Sequence, residues 1–117
     1  MKPLRAGVIG LGVGEAHVKS YQAIPGVEVR AICDIDPARL EAVGGRFDIA
    51  RRHPGYCAVT EDPEIDMVSV CSYDDSHAEQ ILSALEHGKH VMVEKPAVLH
   101  RREAEAVCRA LADTGLL

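Results

Sequence analysis

The chain has 117 residues, 47% hydrophobic and 26% charged, the profile of one soluble globular domain with a single core. A formal net charge of −5, with Arg51-Arg52 and Arg101-Arg102 as the only adjacent Lys/Arg pairs, argues against the basic face that nucleic acid or an anionic membrane would demand. No apolar stretch approaches the roughly 18 residues of a membrane span, and Met1-Lys2-Pro3-Leu4-Arg5 carries no long apolar leader, so the expected setting is cytoplasmic.

The first apolar run, residues 4–9, is bounded by Pro3 and Gly10 and predicts a strand. A glycine-rich turn then enters a helix, and a second strand is expected over 27–33. Asp36-Pro37 supplies an N-cap and an N1 proline for a helix carrying Leu40, Val43 and Phe47, whose end is expected to fray at Gly44-Gly45. The stretch 48–63 is weak; it carries Pro54-Gly55 and suggests a short strand around 56–59. A strand over 67–71 follows. Next comes a helix with Ala78, Ile81, Leu82 and Leu85 on one face, a capping box from Ser76 and Glu79, and Gly88 at C′. A strand over 90–93 precedes a last helix with Ala104, Val107, Cys108 and Leu111, ended by Gly115. Several strands are nearly continuous in apolar residues, as strands buried on both faces are. Alternation of strand and helix predicts an α/β fold, a single doubly wound parallel sheet. Cys33, Cys57, Cys71 and Cys108 contain no C-x-x-C pair, so no metal site or disulfide scaffold is expected, only small buried thiols in a reducing compartment.

The turn Gly7-Val8-Ile9-Gly10-Leu11-Gly12-Val13-Gly14-Glu15 joins strand to helix within a few residues. Glycines there allow a tight turn, let a pyrophosphate approach the backbone, and leave N–H groups at a helix start free to bind anionic oxygens. Gly10 and Gly12 match the first two glycines of G-x-G-x-x-G, but Gly14 comes one residue early and Glu15 holds the third position. On the motif alone a flexible turn remains open. Asp34, at the end of the second strand, lies near the separation of about 20 residues at which an acid reaches the adenosine ribose hydroxyls. A carboxylate there favours NAD over NADP, with Arg39 near enough to relax the preference. The plainer reading of Asp34 is a helix cap, a role Asp36 already fills.

Glu94-Lys95-Pro96 follows the strand over 90–93, where α/β sheets bind ligands. By itself Lys95 reads more readily as a solvated loop lysine. Together the glycine turn with His17, Asp34-Ile35-Asp36-Pro37, Asp62-Pro63-Glu64-Ile65-Asp66-Met67-Val68, Ser76-His77, Ala84-Leu85-Glu86-His87-Gly88-Lys89-His90-Val91 and Glu94-Lys95-Pro96 resemble the glucose-fructose oxidoreductase / inositol dehydrogenase (Gfo/Idh/MocA) family over essentially the whole chain. The resemblance implies a Rossmann-type dinucleotide-binding domain over residues 1–117. It also implies a parent oxidoreductase moving hydride between nicotinamide and a sugar, polyol or related secondary alcohol or ketone as small-molecule substrate. Lys95 would be the catalytic residue, with Lys95-Pro96 a cis peptide. Cofactor contacts would come from Gly10, Gly12, Val13, Gly14, Asp34, Ile35, Ser72, Tyr73, His77, Glu94, Lys95 and Pro96. Ser72-Tyr73-Asp74 stands where the family usually has Thr-Pro-Asn, and Cys71, Ser72 and Tyr73 would line the nicotinamide side. A structural role is as natural as a cofactor contact for His77, and packing is preferred for His17. The substrate domain of the family is absent from these residues, and the last strand of the sheet is expected to be just beginning at Leu117. An apolar edge left there would favour self-association into a homo-oligomer. The alternative for the chain alone is a non-catalytic NAD(H)-binding module or regulatory subunit.

Overall fold

A computed structural model describes residues 2–117. Five parallel strands, β1 Leu4–Ile9, β2 Val27–Cys33, β3 Arg51–His53, β4 Met67–Val70 and β5 His90–Val93, form one sheet in the order β3-β2-β1-β4-β5. Helices α1 Gly14–Gln22, α2 Pro37–Arg46, α3 Cys57–Thr60, α4 His77–Glu86 and α5 Arg101–Thr114 alternate with them. The expected doubly wound α/β sheet is therefore the one that forms, and none of the described helices is long and apolar enough to cross a membrane.

Successive strand residues point to opposite faces, and β1 supplies both cores by this alternation. Val8 packs with Leu11, Val18, Ile32, Leu40 and Val43 in the layer of α1 and α2. Ile9 packs with Ile65, Val68, Val70, Ile81 and Leu85 in the layer of α4. Strand order reverses between β1, which leads outward to β2, and β4, which leads outward to β5. Such a switch point opens a crevice at the carboxyl ends of the strands.

Local chemistry departs from the sequence reading in four places. The third strand is Arg51–His53, not 56–59, which instead lie in the Tyr56 cap and short helix α3. That strand has no apolar signature because its identity comes from backbone pairing with β2 at the sheet edge. Gly44 and Gly45 do not fray α2; Gly44 is buried inside it, against the Arg52 side chain that a Cβ would strike. Ser76 makes no capping box, because a 3₁₀ turn over Asp74–Ser76 already gives it helical backbone. Only Cys33 and Cys71 are buried, whereas Cys57 and Cys108 are exposed.

At the end of the sheet opposite the crevice, a lattice of ion pairs holds the segment before β4. Arg5 grips Asp66 through its guanidinium at 2.9 and 3.0 Å and through its backbone N–H at 2.8 Å. Arg51 reaches Asp62 at 3.0 Å and Glu64 at 2.5 Å, and Arg30 reaches Glu64 at 2.9 Å. Lys89, almost fully buried, donates to the Asp62 carbonyl at 2.6 Å. The Arg5 contacts hold the Asp66 carboxyl down at about 2. A carboxyl depressed in the folded state contributes stability above its unfolded value and loses it as pH falls through the folded one. Stability should therefore fall between about pH 4 and pH 2, and Asp66→Asn should flatten that part of the profile in urea titrations at stepped pH. An unchanged slope in the variant would refute the assignment.

Candidate active site

The crevice is built on the approach of β1 to β4. Gly10, at the end of β1, has φ +86°, and a Cβ there would lie 2.6 Å from the Ser72 nitrogen and 2.7 Å from the Cys71 carbonyl carbon and oxygen. Glycine is thus required twice, by the left-handed backbone and by the neighbouring strand end. Gly12 is exposed, and a Cβ on it would meet only the Arg39 guanidinium at 3.9 Å, so its backbone is open to a ligand. Gly14 begins α1 and is buried, with Val8 at 2.9 Å and Cys71 at 3.3 Å from a Cβ. Close helix-strand packing, the task of a third glycine, is therefore carried by Gly14. Glu15 turns away and pairs with Arg46.

Asp34 is only 5% exposed. One carboxylate oxygen accepts the Leu11 N–H at 2.8 Å and the other the Asp36 N–H at 2.8 Å. Two of roughly four lone-pair directions are thereby used, and the Arg39 guanidinium stands 3.6 Å away. Asp36 keeps the cap, accepting from Ala38 and Arg39. Asp36, not Asp34, is thus the cap of α2.

A groove of about 670 Å³ runs over these loops. It is lined by Gly10, Gly12, Val13, Asp34 and Ile35 together with Ser72 and Tyr73, seven of the residues singled out from the sequence. Arg39, Tyr56 and Gln80 also line it. Tyr56 was hidden in the weak middle of the chain, and Gln80 carries no motif. Ser72 and Tyr73 share this groove with Asp34 and Tyr56, whereas Lys95, at the end of β5, does not line it. Burial pushes the thiols of Cys33 and Cys71, which also line the groove, up to about 12, so they act as apolar floor and not as nucleophiles.

At the other side of β4 the Lys95-Pro96 peptide is cis. Glu94 is tied to α1: His17 Nε2 lies 2.8 Å from its carboxylate and Nδ1 3.2 Å from the Ser69 hydroxyl, which Tyr21 also meets. A carboxylate only accepts, so Nε2 carries the proton in that contact, and it lowers the Glu94 carboxyl. His17 is thus a polar tether and more than packing. His77 is 1% exposed, its ring nitrogens facing the Pro96 carbonyl at 2.7 Å and the Ser72 carbonyl at 3.0 Å. His77 thus bridges the loops after β4 and β5, the structural role weighed for it beside a cofactor contact. Lys95 itself is exposed.

Residues 4–117 match the model of an oxidoreductase family with an NAD-binding Rossmann fold, GFO_IDH_MocA. The chain belongs to the Gfo/Idh/MocA oxidoreductase family. Among its relatives, inositol 2-dehydrogenase 3 of Saccharopolyspora erythraea is 39% identical over 114 residues, which are 96% of this chain and 33% of the relative. The NAD(+)-dependent scyllo-inositol 2-dehydrogenase of Bacillus subtilis is 32% identical over 97% of this chain and 34% of its own length. A scyllo-inositol dehydrogenase from Lactobacillus casei, solved with NAD(H) and scyllo-inositol, superimposes with a TM-score of 0.91 at 28% identity, over 97% of this chain and 34% of that one. A 3-ketoreductase from Actinomadura kijaniata, solved with TDP-benzene and NADP, gives 0.89 at 35% identity, over 99% and 37%. The chain thus spans about a third of the length of these family members.

The glycine loop fits the dinucleotide of this family on its own geometry, since Gly12 leaves backbone open and a buried acid stands at the end of β2. Gly10→Ala should therefore destabilise the fold by on the order of 3 kcal/mol, from backbone strain and collision with residues 71–72. Chemical denaturation checks this, and a loss under about 1 kcal/mol would contradict the close approach.

Proposed function

We propose that residues 1–117 are the dinucleotide-binding domain of a cytoplasmic NAD-dependent dehydrogenase that moves hydride between nicotinamide and a secondary alcohol or ketone of a sugar or polyol. The observation that carries this reading is the pairing of two features across β1 and β4. A groove with an open glycine backbone ends at the buried Asp34, and the loop bearing Lys95 is anchored from two sides by His17 and His77. The relatives named for inositol dehydrogenase activity support the substrate class.

The bound nicotinamide would supply the hydride acceptor or donor. This chain's residues do the holding. N–H groups of the loop from Gly10 to Gly14 take the pyrophosphate oxygens, and the two unused lone-pair directions of Asp34 accept from the adenosine ribose hydroxyls. Lys95 holds the substrate oxygen with its ammonium and stabilises alkoxide character there. Glu94, fixed by His17, keeps that loop in register. Exposure of Lys95 favours a second reading for the chain by itself, NAD(H) binding without turnover, because an ammonium in water stabilises an alkoxide poorly.

The readings separate in one assay. Hydride transfer on a panel of inositols and sugars supports the dehydrogenase, and tight NADH binding with no turnover supports the module. Asp34 makes a further difference measurable, because its carboxylate accepts from a 2′-hydroxyl and repels a 2′-phosphate. NADH should bind more tightly than NADPH by about tenfold, the Arg39 guanidinium limiting the gap. Calorimetric titration showing the reverse order would overturn the Asp34 assignment. In the whole protein Lys95→Ala should lower kcat at least about a hundredfold while NADH affinity changes less than about threefold. Equal losses in both would remove Lys95 from the chemistry.

A further inference from the structure

Gln80 stands on the first turn of α4, is 6% exposed and lines the groove. Its Oε1 accepts the Ser72 hydroxyl hydrogen at 2.5 Å. Its Nε2 donates to no group among the described residues and is not sealed from solvent, so it is open to a ligand in the groove. With its hydrogen spent on Gln80, Ser72 keeps only lone pairs to offer a ligand. The lining of the groove therefore includes a neutral donor, Gln80 Nε2–H, and a neutral acceptor, Ser72 Oγ, together with Pro54, Tyr56 and Tyr73.

We infer that Gln80 and Ser72 read the adenine base. This rests on the dinucleotide reading of the groove and deepens it. Each part of a dinucleotide offers different chemistry. Phosphate oxygens only accept, which suits the bare N–H groups of the glycine loop and conflicts with the lone pairs of Ser72. The ribose hydroxyls have an acceptor matched to them in Asp34. The nicotinamide carboxamide belongs toward Lys95, which does not line this groove. Adenine remains: its N6 amino group donates next to the accepting N1, complementary to Ser72 Oγ and Gln80 Nε2, and its flat rings suit the side chains of Pro54, Tyr56 and Tyr73. A single Asn or Gln amide pairs elsewhere with the adjacent donor N6 and acceptor N7 of adenine; here Gln80 and Ser72 divide the same two tasks between N1 and N6.

The test compares ligands on the full chain by calorimetry. The probes are ADP-ribose, NAD and the etheno derivative of NAD, in which a two-carbon bridge ties adenine N1 to N6 and removes both hydrogen-bonding positions. The wild type should bind NAD about tenfold more tightly than the etheno derivative. Gln80→Leu should close that gap to within about twofold and weaken ADP-ribose by the same factor as NAD. Gln80→Glu keeps the side-chain shape and the Ser72 contact but replaces the donor by an acceptor. It should weaken NAD at least as much as Gln80→Leu does, and it decides the matter if the leucine variant does not fold. If either folded variant weakens NAD and its etheno derivative equally, Gln80 reads another part of the ligand and the base assignment is overturned. If the wild type binds neither ADP-ribose nor NAD, the dinucleotide reading itself falls, an outcome distinct from the first.

Discussion

The carboxylate of Asp34 is the fixed point on which the site depends. It takes one backbone N–H from the glycine loop and one from the turn into α2, with its own amide held by the carbonyl of His53 at 3.2 Å. The loops after β1 and β2 and the last residue of β3 meet on one residue. Charge-assisted hydrogen bonds of this kind are stronger than neutral ones, and burial raises the cost of losing them. The glycine loop is thus held in place by an interaction internal to the chain. The Leu11 and Asp36 contacts leave about two of the carboxylate's lone-pair directions unused.

A second consequence concerns the division of the sheet end into two compartments. On one side of β4 lies a groove with apolar walls, a buried acid and a neutral polar floor. On the other lies the Glu94-Lys95-Pro96 loop, pinned by His17 from α1 and by His77 from α4. The two sides communicate through the loop after β4, because Ser72 gives its carbonyl to His77 and its hydroxyl to Gln80. A cofactor lying across both would touch elements held by this single residue.

Packing gives the motif residues tasks that their spacing does not. Gly14 looked out of register as a phosphate glycine, yet its buried contact with Val8 and Cys71 gives it the close-packing task of the third glycine. Glu15, which holds the motif's third glycine position, is drawn off by Arg46. His17 and His77 sit in the family pattern without declaring a role. Their partners are 77 and 19 residues away in sequence, at Glu94 and Pro96, so no local spacing could reveal them.

The sequence by itself determined the strand-helix alternation, because the periods of two and of 3.6 residues and the caps at Asp36, Gly88 and Gly115 are local properties of the chain. It also determined the glycine turn and the acid that follows β2, since backbone freedom and side-chain charge are written at single positions. Only the tertiary structure decided that Arg51–His53 is a strand, since its pairing comes from β2 and not from its own residues. It decided too that Gln80 meets Ser72 and that the groove excludes Lys95, because these follow from which strand ends lie side by side. A one-dimensional pattern records periodicity and charge, and adjacency across a sheet is set by the order of its strands.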